Sequence, residues 1–150
     1  MLIEILKTIF NRDLNKLKTE IELYSAEERM WCIDKNISNS AGNLCLHLIG
    51  NLNTYIGAEI GKTNYVRQRE LEFSLKNIPK AELIKKIEET IYVVENSLHK
   101  LTVEELNAEY PILVLSEKTT TAYFLVHLAT HLAYHLGQIN YHRRLLDGDE

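Results

Sequence analysis

Cysteine and proline are scarce in this 150-residue chain, which has two of each and only six glycines. Two cysteines are too few for the disulfide framework of a small secreted domain. The shortage of proline and glycine favours helices over a turn-rich β protein. No apolar run reaches the length of a transmembrane helix, and nothing at the N-terminus resembles a signal peptide. We therefore expect a cytoplasmic protein with free thiols and no membrane partner.

Positive charge is also in short supply. The formal net charge is −4, and no block of Lys and Arg is long enough to follow a phosphate backbone, which disfavours nucleic-acid binding. The composition is 45% hydrophobic and 25% charged, as in ordinary globular proteins. A chain of this length can bury the core of one domain.

Four long segments of the chain have the apolar periodicity of amphipathic helices. They cover about residues 2–24, a stretch from the N-cap Ser40 to about Gly61, a helix beginning at Pro79, and a helix from residues 119–121 to before Gly148. Thr102 and Glu105 form a capping box for one short turn. Residues 62–78 form a charged connector that is longer than most helix–helix links. We predict that residues 1–150 form a single all-α, four-helix-bundle domain with long connections.

Histidines are concentrated in the last predicted helix. His127, His131 and His135 are spaced four residues apart, so they span roughly 80° of the helix surface and share one face. Two imidazoles at this spacing can bind one metal ion. The helical wheel places His135 inside the apolar sector, His131 at its edge and His127 further out. We therefore predict His131 and His135 as metal ligands, with His127 as a substitute or a neighbour.

The best third ligand lies on the second predicted helix. His47 lies off the apolar stripe of that helix, on an edge shared with Asn51, and this edge has the small and polar residues expected at the side of a cleft. Two histidines four residues apart on a helix are more often incidental than ligands, and the third histidine of the last predicted helix makes the metal-binding and structural interpretations about equal. In the connector, Arg67 and Arg69 form either a solvated surface or a receptor for an anion.

Two segments together resemble the DinB-like superfamily of four-helix metalloproteins. They are Leu46-His47-Leu-Ile-Gly50-Asn51 and His131-Leu-Ala-Tyr-His135-Leu-Gly137-Gln138. The connector from Arg67 to Phe73 is similar to that of one uncharacterised branch. The resemblance implies an up-down-down-up bundle, often a homodimer, with zinc, nickel or a similar divalent ion bound by His47, His131 and His135. Relatives include bacillithiol-dependent S-transferases and mycothiol-dependent maleylpyruvate isomerases.

The sequence departs from the superfamily pattern at Leu132 and Leu136, where members often carry Glu and Arg. The chain therefore lacks the carboxylate of a His-Glu-x-x-His motif, which would act as a general base beside a metal. Metal-assisted hydrolysis is unsupported for this reason. A thiol bound to a metal loses its proton without a protein base, so a thiol transferase acting on small electrophiles remains compatible with the sequence.

Six further residues are candidates for orienting ligands or substrates. Asn51, Gln138, Tyr134 and His127 are expected near the metal, and Arg67 and Arg69 are expected to receive a substrate carboxylate at the rim. Two alternatives remain open. The protein binds a metal or ligand without catalysis, or the histidines are remnants in a structural bundle that dimerises.

Overall fold

Four long helices dominate residues 1–148, the part of the chain that this computed structural model describes. The α-helices are α1 (Leu2–Glu22), α2 (Ala41–Leu52), α3 (Arg69–Ser74), α4 (Lys80–Lys100), α5 (Val103–Asn107) and α6 (Thr121–Leu146). Residues 1–148 contain no β-strand, only an isolated antiparallel bridge between Glu109 and Thr120. The all-α bundle predicted from the sequence is confirmed. None of the described helices is long and apolar enough to cross a membrane.

The four long helices, α1, α2, α4 and α6, pack in a closed square. Helices α1 and α2 each contact both α4 and α6. The ends of α1 and α6 lie together, because Asp147 accepts hydrogen bonds from the backbone N–H groups of Ser25 and Ala26. Helix α4 begins at this same end, where Lys80 donates to the carbonyl of Tyr24. Thus α1 and α6 run parallel to each other, and α4 runs antiparallel to α1.

Helix α2 runs antiparallel to α6, which determines the histidine positions. Midway along α2, the ring of His47 lies 5.3 Å from that of His135, midway along α6. Just after the end of α2, the ring of Tyr55 lies 5.4 Å from that of Phe124, early in α6. Two histidine-bearing faces are therefore opposed across the bundle.

The core forms from the stripes that the periodicity predicts. The α1 stripe and the matching leucines of α6 are almost completely buried: Leu6, Phe10, Leu14, Leu17, Ile21, Leu125, Leu128 and Leu132. Each buried leucine contributes about 1.5–3 kcal/mol of hydrophobic stabilisation relative to an exposed one. Trp31 also packs inside, as predicted, with its ring against Gly42, where a Cβ atom would overlap the indole.

The caps predicted at Ser40 and Thr102 are present in the structure, whereas the start of α4, the end of α2 and the connector after it differ from the prediction. Ser40 caps α2 and Thr102 forms the predicted capping box. Pro79 is the N-cap of α4 instead of its first helical residue. The predicted second helix changes at Asn53 into a π-helical segment that ends at Ala58. The charged connector at residues 62–78 contains the short helix α3 (Arg69–Ser74), which packs on α2.

The loop between residues 32 and 39 is held against α6 by a buried histidine. Nε2–H of His142 donates to the carbonyl of Cys32 at 2.9 Å. The hydroxyl of Tyr24 donates to Nδ1 of His142 at 2.7 Å. Burial lowers the pKa of His142, which keeps its ring neutral at pH 7 and suits one donor and one acceptor nitrogen.

Candidate metal centre

Three imidazoles converge between α2 and α6. Nε2 of His131 lies 3.2 Å from Nε2 of His47 and 3.1 Å from Nε2 of His135. One nitrogen from each of these residues lies within 4.8 Å of the others, which makes them a group able to hold a metal ion. Zn–N bonds of about 2.0–2.1 Å in a tetrahedral site imply N···N separations of about 3.3 Å. The observed separations are close to that value.

Hydrogen bonds orient two of these rings with their Nε2 lone pairs toward the centre. Nδ1–H of His47 donates to Oε1 of Glu72 at 3.1 Å. Nδ1–H of His135 donates to Oε1 of Gln138 at 2.7 Å. A neutral imidazole with a proton on Nδ1 has an unprotonated Nε2. Such hydrogen bonds from the distal nitrogen are the usual support for histidine metal ligands.

Within the described part of the chain, the third ring, that of His131, has no hydrogen bond at Nδ1 that orients it. Two unprotonated Nε2 atoms face Nε2 of His131, while Nδ1 of His131 is buried and has no hydrogen-bond partner within residues 1–148. Burial, followed by the nearby His135 and His47, lowers the pKa of His131 to about 4. Burial also lowers the pKa of His135. Both rings are therefore neutral at pH 7, which is the form that binds metals, and one cation would satisfy all three Nε2 lone pairs.

Glu72 is a buried carboxylate behind His47. Arg67 binds it through two hydrogen bonds, Nε to Oε2 at 2.8 Å and Nη2 to Oε1 at 2.9 Å. Burial alone would raise the pKa of Glu72, but hydrogen bonds from His47 and Arg67 and the charge of Arg67 hold it below its usual value. Glu72 is therefore ionised at neutral pH and accepts the Nδ1 proton of His47.

Two residues of α2 determine where this carboxylate lies. The side-chain amide of Asn43 donates to the carbonyls of Glu72 and Leu75, each at 2.9 Å, and so holds the C-terminal end of α3 on α2. Gly50 leaves the space for the Glu72 carboxylate, because a Cβ atom there would overlap Oε2. Asn43, His47 and Gly50 are spaced by four and three residues and share one face of α2.

The other candidate residues lie at different distances from the centre. His127 is 6.4 Å from His131 between ring centroids, and it is not one of the three convergent histidines. Oδ1 of Asn51 is buried without a hydrogen-bond partner in residues 1–148. Tyr134 is 67% exposed, with its ring 5.4 Å from that of His135. Arg69 is exposed, with its guanidinium over the ring of Phe73.

Two clefts that share no lining residue open beside the centre. The first, which we call the arginine cleft, has a volume of about 210 Å³ and is lined by His47, Asn51, Tyr55, Arg67, Arg69, Val114, Phe124, His127, Leu128 and His131. The second, which we call the amide cleft, has a volume of about 530 Å³ and includes His135, Asn36, Ser38, Asn39, Gln138 and Tyr141 in its lining. The convergent histidines therefore form part of the wall of both clefts.

Residues 3–150 match the sequence profile of a family described as "Protein of unknown function (DUF1572)". The chain belongs to the DUF1572 family. A search of curated proteins gives no match to this DUF1572 chain. The family description assigns no activity, so the chemistry of the DUF1572 centre rests on its residues.

Sequence reasoning missed the support behind the DUF1572 centre. Glu72 lies 25 residues after His47, in the segment predicted to be a charged connector. No local pattern links the two residues, since their contact depends on where α3 docks. The spacing of Asn43, His47 and Gly50 was the one available signal: these polar or small residues follow a single face of an otherwise apolar helix.

Replacing Glu72 by Gln tests its role in the DUF1572 protein. The variant keeps the size of the side chain but weakens the hydrogen bond that fixes the His47 tautomer. We expect zinc affinity to fall roughly 10- to 100-fold, as is typical for the outer partners of metal ligands. Competition with a chromophoric chelator measures this affinity. Glu70→Gln, an exposed change in the same helix, is the control, and equal affinities in both variants would contradict the role.

Replacing Gly50 by Ala displaces the Glu72 carboxylate without altering any candidate ligand. We expect weaker zinc binding, because His47 loses its oriented acceptor. Gly137→Ala is the matched control, since a Cβ atom there meets nothing within 4 Å and the change stabilises a helix by about 0.5–1 kcal/mol.

Combining Gly50→Ala with Glu72→Ala separates loss of the Glu72 contact from a general effect of Gly50→Ala on the structure of α2. In a Glu72→Ala background the carboxylate is gone, so Gly50→Ala should cause little additional loss of zinc affinity. Additive losses would show that Gly50 acts by another route.

Proposed function

We propose that this DUF1572 protein is a DinB-like, divalent-metal-binding protein that catalyses transfer of a thiol sulfur to small electrophiles. The observation that carries the proposal is the convergence of Nε2 atoms from His47, His131 and His135, with two of the rings oriented by hydrogen bonds at Nδ1. Zinc and nickel both accept imidazole nitrogen. The DinB-like motifs in the sequence support the same three ligands.

Three neutral imidazoles leave room for a further ligand, and a bound divalent cation would favour the thiolate form of a thiol placed there. The net reaction forms a carbon–sulfur bond and breaks the bond from that carbon to its leaving group. The leaving group departs with the bonding electrons, and the thiol proton passes to solvent. No protein carboxylate is required for this proton, which agrees with the buried Leu132 at the position where relatives often carry Glu.

The residues around the centre have separate tasks in this proposal. Glu72 is engaged by His47 and Arg67, so it acts as a positioning residue and not as a base. Gln138 holds the tautomer of His135. Asn51 and Arg69 contribute polar and cationic groups to the arginine cleft, where an acceptor carboxylate would lie.

The two clefts favour a transferase over a metal-binding protein without catalysis. A transfer between two molecules requires both to reach one centre, and each of the two clefts is lined by at least one of the three convergent histidines. The non-catalytic metal- or ligand-binding bundle is the second candidate, favoured by the absence of an acidic residue at Leu132. The homodimer and the cytoplasmic location implied by the sequence remain predictions.

Metal content tests the first part of the proposal. We expect untagged native protein to contain about one zinc, nickel or similar ion per chain by elemental analysis. The double variant His131→Ala/His135→Ala should lose this ion, and added zinc should raise the melting temperature of the metal-free wild type only. His99→Ala, at an exposed position in α4, is the control. A metal-free wild type, or unchanged content in the double variant, refutes the metal centre.

Thiol-transfer assays test the reaction. Bacillithiol, glutathione and coenzyme A would each be combined with chloro-aromatic acceptors, and thioether formation followed by mass spectrometry. We expect metal-loaded protein to accelerate at least one pair, and metal removal or His131→Ala to abolish the acceleration. A protein that binds metal but accelerates none of the pairs fits the non-catalytic alternative.

A further inference from the structure

The amide cleft is large enough to bind a small molecule. Its volume is about 530 Å³, within the usual range of roughly 300–1,000 Å³ for ligand sites. One wall comes from α6, and the opposite wall comes from the loop at residues 36–39. That loop is anchored through the hydrogen bond from His142 to the carbonyl of Cys32. The cleft therefore lies between α6 and a loop that is tied to α6 at Cys32, four residues before Asn36.

Uncharged groups line this cleft. Its polar side chains are amides and hydroxyls from Asn36, Ser38, Asn39, Gln138 and Tyr141, together with two histidines, and no Asp, Glu, Lys or Arg is among the lining residues. Asn36 and Ser38 are exposed, and Asn39 is half-buried. They are therefore available to a ligand that presents amide or hydroxyl groups.

Apolar side chains form the remainder of the lining. Ile37, Leu44 and Leu145 contribute from the loop, α2 and α6. A site that combines such a surface with a few neutral polar groups binds molecules that are partly apolar and carry hydrogen-bonding groups along their length. A carboxylate buried here would lose its hydration without gaining a cationic partner.

The cleft borders the candidate metal centre at His135. This residue lines the cleft, and Gln138, which also lines it, accepts the Nδ1 proton of His135. The arginine cleft lies beside His47 and His131 and contains Arg67 and Arg69. Because Arg67 is paired with Glu72, the two clefts differ mainly in Arg69, a cation in the arginine cleft with no counterpart in the lining of the amide cleft.

We propose that the amide cleft binds the arm of an uncharged thiol that carries amide or hydroxyl groups, with its sulfur directed toward His135. This inference rests on the proposed thiol-transfer function and specifies its thiol. Pantetheine has the required chemistry, with two amides and hydroxyls on a neutral chain. Glutathione is the contrasting thiol, because its peptide carries two carboxylates.

Calorimetric titration of the native protein with S-methylpantetheine and S-methylglutathione tests the cleft. Neither compound has a free thiol, so binding reports recognition of the arm independently of thiolate–metal contact. We expect S-methylpantetheine to bind at least about tenfold more tightly, since the cleft has no partner for a carboxylate. Equal or tighter binding of S-methylglutathione, or no binding of S-methylpantetheine, overturns the proposal.

Two variants locate the binding site and one reverses its preference. Asn39→Ala and Tyr141→Ala remove polar groups from the cleft and should weaken S-methylpantetheine about tenfold. Ser38→Lys adds a cation and should tighten S-methylglutathione, a gain that damaged folding does not produce. Tyr123→Ala, at a 60% exposed position elsewhere on α6, should change neither affinity. Unchanged affinities in Asn39→Ala and Tyr141→Ala would place the ligand elsewhere and refute the site.

The metal-content experiment separates this proposal from the proposed function. If the protein contains metal but does not bind S-methylpantetheine more tightly than S-methylglutathione, the assignment of a neutral thiol to the amide cleft is refuted and the proposed function is not. Selective binding of S-methylpantetheine to a protein without metal supports the amide cleft and refutes thiol transfer at a metal centre.

Discussion

The contact between Glu72 and His47 is the interaction on which the candidate centre depends. It joins an ionised carboxylate to the distal nitrogen of an imidazole at 3.1 Å, and Arg67 balances the buried charge through two short hydrogen bonds. A buried carboxylate without such partners would be strongly destabilising. The three groups therefore form one unit, in which the tautomer of His47, the charge of Glu72 and the position of Arg67 determine each other.

This unit forms because the short helix α3 packs on α2 with the Glu72 side chain against Gly50. Asn43 holds the C-terminal end of α3 against the first turn of α2. Gly50, seven residues further along α2, leaves room for the carboxylate of Glu72. The large core contacts of α1 and α6 give the bundle its stability, but they do not orient His47. Stability and site geometry are thus supplied by different parts of the same fold.

The sequence predicts the features that depend on local periodicity. The apolar stripe of α1, the caps at Ser40 and Thr102, and the histidine face of α6 are local patterns, and the structure contains all of them. Glu72 could not be predicted in the same way, since its contact with His47 depends on tertiary docking of residues in a connector. The π-helical segment after Leu52 was also missed, because a wider helical turn leaves no clear signature in side-chain spacing. The proximity of His47 to His131 was predictable only by combining two distant motifs.

The two clefts have a consequence for the order of molecular events. They share no lining residue, so one bound molecule does not need to leave before a second arrives. If the centre transfers a thiol as proposed, this arrangement suits a ternary complex and sequential kinetics. In the proposed transferase, the histidine face of α6 would therefore separate the two reactants as well as supply candidate ligands, because His131 lines one cleft and His135 lines the other.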